Sequence, residues 1–147
     1  MEPVIGKPAP SFSLPSAGGG KVTLSEFKGK KNVVLYFYPK DDTPGCTVEA
    51  CAFRDALPAI DRADTVVLGV SADDAESHAA FAAKYALPFT LLTDDEGCVA
   101  ESYGAWNEEK RRCNRVTAVI GKDGILRGYF PSVKPEGHAQ EVLKLLA

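Results

Sequence analysis

Six consecutive apolar residues, Val33-Val34-Leu35-Tyr36-Phe37-Tyr38, run into Pro39-Lys40-Asp41-Asp42 and then Thr43-Pro44-Gly45-Cys46. A strand apolar at every position has no face to give to water, so it belongs inside a sheet covered on both sides. The proline and aspartates end it, and the next residues read as a helix start. Thr43 suits the N-cap, and Pro44 suits the first helical position, where its missing N–H costs nothing. Beyond them Cys46, Ala50, Phe53, Leu57 and Ile60 fall on one helical face, which predicts a helix packed on that strand. Pro58 is expected to end or kink it near Leu57.

A cysteine in the first turn of a helix meets free backbone N–H groups and the positive end of the helix dipole. Both favour thiolate over thiol, so Cys46 is expected to be nucleophilic. Gly45 leaves the backbone beside it uncovered. Cys51 follows five residues later. In an intact helix such residues lie about 8.6 Å apart at Cα and about 140° apart around the axis. A disulfide needs about 4.4 to 6.8 Å. The pair is therefore either two independent thiols or a switch that bonds only when the helix unwinds.

Taken in order, the chain predicts an extended, proline-punctuated segment over residues 1–14. A hairpin follows, turning at Gly18-Gly19-Gly20, and then a helical turn over Ser25 to Lys30. Thr65 to Ser71 is a second buried strand, made parallel to the first by the intervening helix. Asp73 or Asp74 caps a helix whose apolar face is Ala75, Ala79, Ala82 and Tyr85. A short strand over Phe89 to Thr93 and a short helix over Cys98 to Tyr103 come next. Asn107 to Asn114 reads as an exposed loop. Gly121-Lys122-Asp123-Gly124 turns a hairpin between Val116–Ile120 and Ile125–Phe130. The last helix runs from Gly137 to Leu146 with Val142, Leu145 and Leu146 inward. This pattern is α/β, in one domain spanning residues 1–147.

Pro39-x-x-x-Thr43-x-x-Cys46 resembles the active-site signature of the peroxiredoxins. The longer string from Tyr36 to Ala50 resembles the subgroup called PrxQ or bacterioferritin comigratory protein. Lys7-Pro8-Ala9-Pro10, Tyr103-Gly104-Ala105-Trp106 and Arg115-x-Thr117-x-Val119-Ile120 extend the likeness along nearly the whole chain. The resemblance implies a thioredoxin fold of the peroxiredoxin type, with a central mixed sheet flanked by helices and an N-terminal hairpin. It implies a thiol peroxidase acting on hydrogen peroxide and small organic hydroperoxides. Cys46 would become a sulfenic acid, and thioredoxin or a similar dithiol would restore the enzyme. Thr43 and backbone N–H groups would orient the peroxide, Arg115 would hold thiolate and peroxide, and Pro39 would shield the site. Read alone, Arg115 is a surface charge entering a strand.

Several members of the subgroup resolve the sulfenic acid with a cysteine five residues on, which implies that role for Cys51. Cys113, two residues before Arg115, and Cys98 compete for it. Many relatives instead carry a resolving cysteine in the helix that here spans Ala75 to Tyr85, and this chain has none there. Tyr103 and Trp106 read as packing residues beside the site. The rival functions are a thioredoxin-like protein disulfide reductase, disfavoured by the missing Cys-x2-Cys, and a non-catalytic binding module.

With 147 residues, 45% of them apolar, and a net charge of −3, neither nucleic acid nor a membrane is an expected partner. No cofactor or metal is implied: the cysteines lack zinc spacing, His78 and His138 read as ordinary helix residues, and the paired aspartates as caps and turns. The N-terminal residues resemble no signal peptide, so a cytoplasmic location is expected. A monomer is expected because the helix unwinds more easily with no partner packed on it, and the resemblance implies the same.

Overall fold

The computed structural model describes residues 3–146; Met1, Glu2 and Ala147, with the part of the expected extended segment that falls on them, lie outside the described residues. Strands β1 (Ser13–Pro15) and β2 (Lys21–Thr23) form the N-terminal hairpin, followed by a 3-10 turn at Leu24–Phe27. Then come β3 (Asn32–Phe37), α1 (Pro44–Arg62), β4 (Thr65–Ser71), α2 (Ala75–Tyr85), β5 (Thr90–Thr93) and α3 (Cys98–Ser102). The chain closes with β6 (Trp106–Asn107), β7 (Arg112–Cys113), β8 (Val116–Ile120), β9 (Leu126–Phe130) and α4 (His138–Leu146).

The main sheet has the order β5-β4-β3-β8-β9. β3 is its middle strand, parallel to β4 and antiparallel to β8. Its apolar run supplies both faces alternately. Val33, Leu35 and Phe37 join Phe12, Leu14, Tyr103, Ala105 and Cys113 on one side. Val34, Tyr36 and Tyr38 join Cys46, Ala50, Phe53, Phe81 and Val142, contributed by α1, α2 and α4, on the other. This alternation follows from the two-residue period of a strand, and it puts Cys46 and Cys113 on opposite faces of the sheet.

Five local expectations need correction. α1 does not stop at Pro58 but runs to Arg62. Pro58 forgoes the bond to the Arg54 carbonyl, and burial of Ala56 and Ile60 on either side of it offsets that loss. The buried residues of α2 are His78 and Phe81, while Ala75 and Ala79 are exposed. His78 can be buried because its ring nitrogens find partners; an alanine methyl contributes little by burial. His138 is likewise buried, bonded to Thr117 Oγ1 at 2.8 Å and Glu141 Oε1 at 3.1 Å, and ties α4 to β8. Leu145 is exposed and lies over Gly128, where a Cβ would stand 2.2 Å from its Cδ2. Finally, 107–114 is not all loop: β6 and β7 pair across it and Cys113 is buried.

Candidate active site

Thr43 occupies the N-cap position of α1, with extended backbone, and Pro44 is the first helical residue. The Thr43 hydroxyl does not cap the helix. It donates to the Lys40 carbonyl at 2.9 Å, so its lone pairs remain to accept a hydrogen bond from elsewhere. The first-turn N–H groups lack a side-chain cap. Cys46 is the third residue of the helix and is buried at 1% exposure, which takes its sulfur out of bulk water. Pro39 is half-buried between the end of β3 and the loop.

Arg115 enters from the segment before β8 and lies against the first turn of α1. A Cβ on Gly45 would stand 2.5 Å from its Nη2, so glycine is what allows the guanidinium to come this close. Arg115 Nη1 donates to Glu49 Oε1 at 3.2 Å. The guanidinium thus reaches from residue 45 to residue 49 along the turn that contains Cys46. Its side chain keeps 22% exposure, which leaves it open to a small solute. Beside it an open groove is lined by Asn114, Arg115, Pro131, Ser132, Val133 and Lys134. A second, more apolar cleft lined by Pro8, Phe27, Val33 and Ile125 lies at the start of β3, the opposite end of the strand from Cys46.

Glu49 is the residue that the sequence reading missed. It sits three places after Cys46 on the apolar face, between Cys46 and Phe53, and is 1% exposed. Burial pushes its carboxyl up to about 7, with the Arg115 charge and hydrogen bond pulling the other way. Its Oε2 has no hydrogen-bond partner among the described residues, nor has the buried Tyr36 hydroxyl. A carboxylate on an otherwise apolar stripe was the available signal.

The four cysteines are unbridged. Cys46 and Cys51 share one continuous helix, and Cys51 is half-buried. Burial pushes the Cys113 thiol far up, with Asp94 and Asp73 adding to it. Proximity in sequence to Arg115 does not put Cys113 at the site, because it belongs to the opposite face of the sheet. Tyr103 and Trp106, expected beside the site, also pack on that other face. Cys98 is exposed at the start of α3.

Under the loop between β3 and α1, Asp41, Asp73 and His78 bring three potential metal-binding atoms within 4.8 Å of one another. Each is already engaged in the network. Asp73 Oδ2 accepts from Asp41 N at 2.8 Å and Ser71 Oγ at 2.6 Å, and Asp41 Oδ2 is 2.8 Å from His78 Nδ1. Hydrogen bonds within the protein satisfy this cluster without an ion.

A mixed sheet with a cysteine wound into the first turn of the helix after its central strand, and an arginine laid across that turn, defines the class of thioredoxin-fold thiol proteins. Residues 5–129 match the AhpC/TSA family, and the chain belongs to it. It is 46% identical to the putative peroxiredoxin bcp of Coxiella burnetii, over 95% of each chain. Among solved structures it is similar to peroxidoxin BcpB of Mycobacterium tuberculosis, with a TM-score of 0.89 and 32% identity, covering 97% of this chain and 95% of that one. A Xanthomonas campestris bacterioferritin comigratory protein, described for its alkyl peroxide reduction activity, has a TM-score of 0.85 and 33% identity over 92% and 89% of the two chains. The peroxiredoxin fold and the Bcp/peroxiredoxin Q branch expected from the signature are thereby established. Among the described residues no helix is long and apolar enough to cross a membrane.

Proposed function

We propose that this peroxiredoxin reduces hydrogen peroxide and small organic hydroperoxides through Cys46. The observation that carries the reading is the arginine laid along the helical turn that buries Cys46. The Cys46 sulfur attacks the terminal peroxide oxygen. An S–O bond forms, the O–O bond breaks, and the leaving oxygen departs as water or alcohol once protonated, leaving a sulfenic acid. Charge grows on the leaving oxygen, and the donors available for it are Arg115 and the uncapped N–H groups of α1. The Thr43 hydroxyl, with its proton spent on Lys40, accepts the hydrogen bond of the peroxide O–H and so fixes its orientation. Pro39 limits water at the sulfur.

Cys51 then attacks the sulfenic sulfur, releasing water and forming the Cys46–Cys51 disulfide. This requires α1 to unwind over its first turns, since the bond is out of reach on an intact helix. Cys113 is the weaker candidate because the sheet separates it from Cys46. A thioredoxin-type dithiol reduces the disulfide. We place the enzyme in the cytoplasm as a monomer, all of it within one domain. Rapid mixing with hydrogen peroxide should oxidise one thiol quickly, and Cys46→Ser should abolish that phase; a fast phase surviving in the variant refutes the assignment. Peptide mapping after one equivalent of peroxide should find Cys46 joined to Cys51, and a Cys46–Cys113 link would displace Cys51 from its role.

A further inference from the structure

We propose that Asp41 and His78 form a buried ion pair that positions Cys46, by fixing the loop that carries Pro39 and Thr43 onto α2 and so confining unwinding to the stretch between Asp42 and Arg54. The inference rests on the peroxidase reading for its kinetic consequence, though not for its geometry.

The surrounding hydrogen bonds argue for the charges. Asp41 accepts on Oδ1 from the Tyr38 hydroxyl at 2.6 Å and on Oδ2 from the Ser77 hydroxyl at 2.9 Å, and Oδ2 lies 2.8 Å from His78 Nδ1, itself 3.3 Å from the Tyr38 hydroxyl. Donors on both carboxyl oxygens favour the carboxylate. The other ring nitrogen of His78, Nε2, faces the Leu92 carbonyl at 2.9 Å, and a carbonyl can only accept. Nε2 therefore bears a proton, and against a carboxylate at Asp41 the Nδ1 atom bears the second, so that the proposed imidazolium and carboxylate face one another with both residues buried. The Asp41 N–H in turn donates to Asp73 at 2.8 Å, locking the backbone of the loop as well.

The last turn of α2 also holds both ends of the switching segment. Asp42, in the left-handed region at φ 56°, accepts from Lys84 Nζ at 2.9 Å and the Tyr85 hydroxyl at 2.7 Å. Arg54 Nη1 donates to the Tyr85 carbonyl at 2.8 Å. Residues 43–53, with both Cys46 and Cys51, hang between these two ties. The ties at Asp42 are exposed and weak, whereas a desolvated ion pair resists loss of either partner. Asp41–His78 is thus the anchor and α2 the fixed frame. With the loop held, Thr43 and the first turn stay wound for peroxide attack; with it released, the wound form gives way sooner to the form in which the two sulfurs can meet.

The test uses Asp41→Asn and His78→Gln, with Ser77→Ala as a milder variant that removes one donor and leaves no buried charge unpaired. In a Cys51→Ser background, which isolates the first step, peroxide oxidation of Cys46 should slow about tenfold to a hundredfold, the loss expected when reacting groups shift by about 1 Å. Ser77→Ala should shift it in the same direction by less. With Cys51 present, disulfide formation after sulfenic acid should quicken. Opposite changes in the two steps mark a positioning role, since a residue that only stabilises the fold would not move them apart. In the reduced protein, amides 41–50 should exchange faster while those of β3 and β4 keep their protection. Nitrogen-15 spectra should show two protonated ring nitrogens on His78. Unchanged oxidation and unchanged exchange of 41–50 in all three folded variants, or a single ring proton on His78, overturns the proposal. If the unmodified chain does not react with peroxide, the peroxidase reading fails, and amide exchange alone decides whether the anchor exists.

Discussion

Glu49 holds Arg115 by one oxygen, at 3.2 Å, and leaves the other with no hydrogen-bond partner among the described residues. The carboxyl lies on the helical turns between Cys46 and Cys51, which must open for a disulfide to form. Its folded-state pKa of about 7 exceeds the ordinary 4.5, because burial outweighs the pull of Arg115. The folded form therefore holds a proton that the opened form has lost. Stability from this group is fully present below about pH 4.5 and is lost as pH rises to about 7, by up to about 3 kcal/mol from the size of the shift. Glu49→Gln, neutral at every pH, should flatten that slope. Urea midpoints of the reduced protein between pH 4.5 and 8 compare the two directly, and parallel curves would show that Glu49 does not carry the dependence.

Removing the cation should cost both catalysis and stability. On the proposed mechanism, Arg115→Met takes away a donor for the charge that develops on the leaving oxygen, an effect on the order of a hundredfold or more in rate. It also strands Glu49 in the core, which costs roughly 3 to 5 kcal/mol if the carboxyl stays ionised. Loss of the cation lifts the Glu49 pKa further above about 7, so stability should recover as pH falls through that higher value, while the peroxide rate stays low. Recovery of both together would mean that Arg115 acts on the fold alone.

Gly45→Ala separates the same two roles by a different route. The backbone at Gly45 is helical and unstrained, so alanine gains helix propensity. Its methyl would meet Arg115 Nη2 at 2.5 Å and Cζ at 3.2 Å, and the long side chain can swing aside. Below about pH 7, where Glu49 is protonated and does not need the cation, the variant should melt no lower than the parent, yet it should oxidise at least about tenfold more slowly, by the cost of misplacing one group. Stopped-flow fluorescence and a thermal melt on one preparation check both halves.

The strand, the helix start and the position of Cys46 were legible because each follows from local rules: an unbroken apolar run, a Thr-Pro-Gly start and a stripe at helical period. The resemblance supplied Arg115, since nothing local distinguishes an arginine entering a strand from any solvated charge. What stayed hidden depends on partners distant in sequence. Glu49 stands out on the apolar stripe, but its partner stays hidden until the fold brings Arg115, 66 residues away, to it. His78 passes for an exposed helix residue until Asp41 and the Leu92 carbonyl close around its ring, and Ala75 and Ala79 take the solvent side instead. Cys113 is near Arg115 in sequence and far from its chemistry, because alternate residues of β3 commit the two cores to opposite faces.

That separation predicts an inert Cys113. Its thiol is buried and its ionisation is pushed far up by desolvation, so it presents neither access nor thiolate. Cys113→Ala should leave peroxide oxidation and disulfide formation within about twofold of the parent, at a cost of about 1 kcal/mol for the lost packing. Native alkylation with iodoacetamide should spare Cys113 and label the exposed Cys98. Labelling of Cys113 at a rate near that of Cys98 would contradict the burial argument.

Pro58 offers a stabilising change far from the chemistry. It lies inside α1 on the exposed side, between Leu57 and Ala59, and the helix passes through it to Arg62. The fold already accepts helical geometry there, so the proline serves no turn; it only withholds a donor from the Arg54 carbonyl. Pro58→Ala restores that donor and should stabilise the protein by about 1 to 3 kcal/mol, the range set by helix propensity less the entropy that proline removes from the unfolded chain. The change lies two turns beyond Cys51, so peroxide oxidation should be unaffected. Disulfide formation is the more telling readout, because a firmer helix end would slow it only if unwinding spreads past Arg54. A rate equal to that of the parent, with a raised urea midpoint, would place the limit of unwinding before that residue.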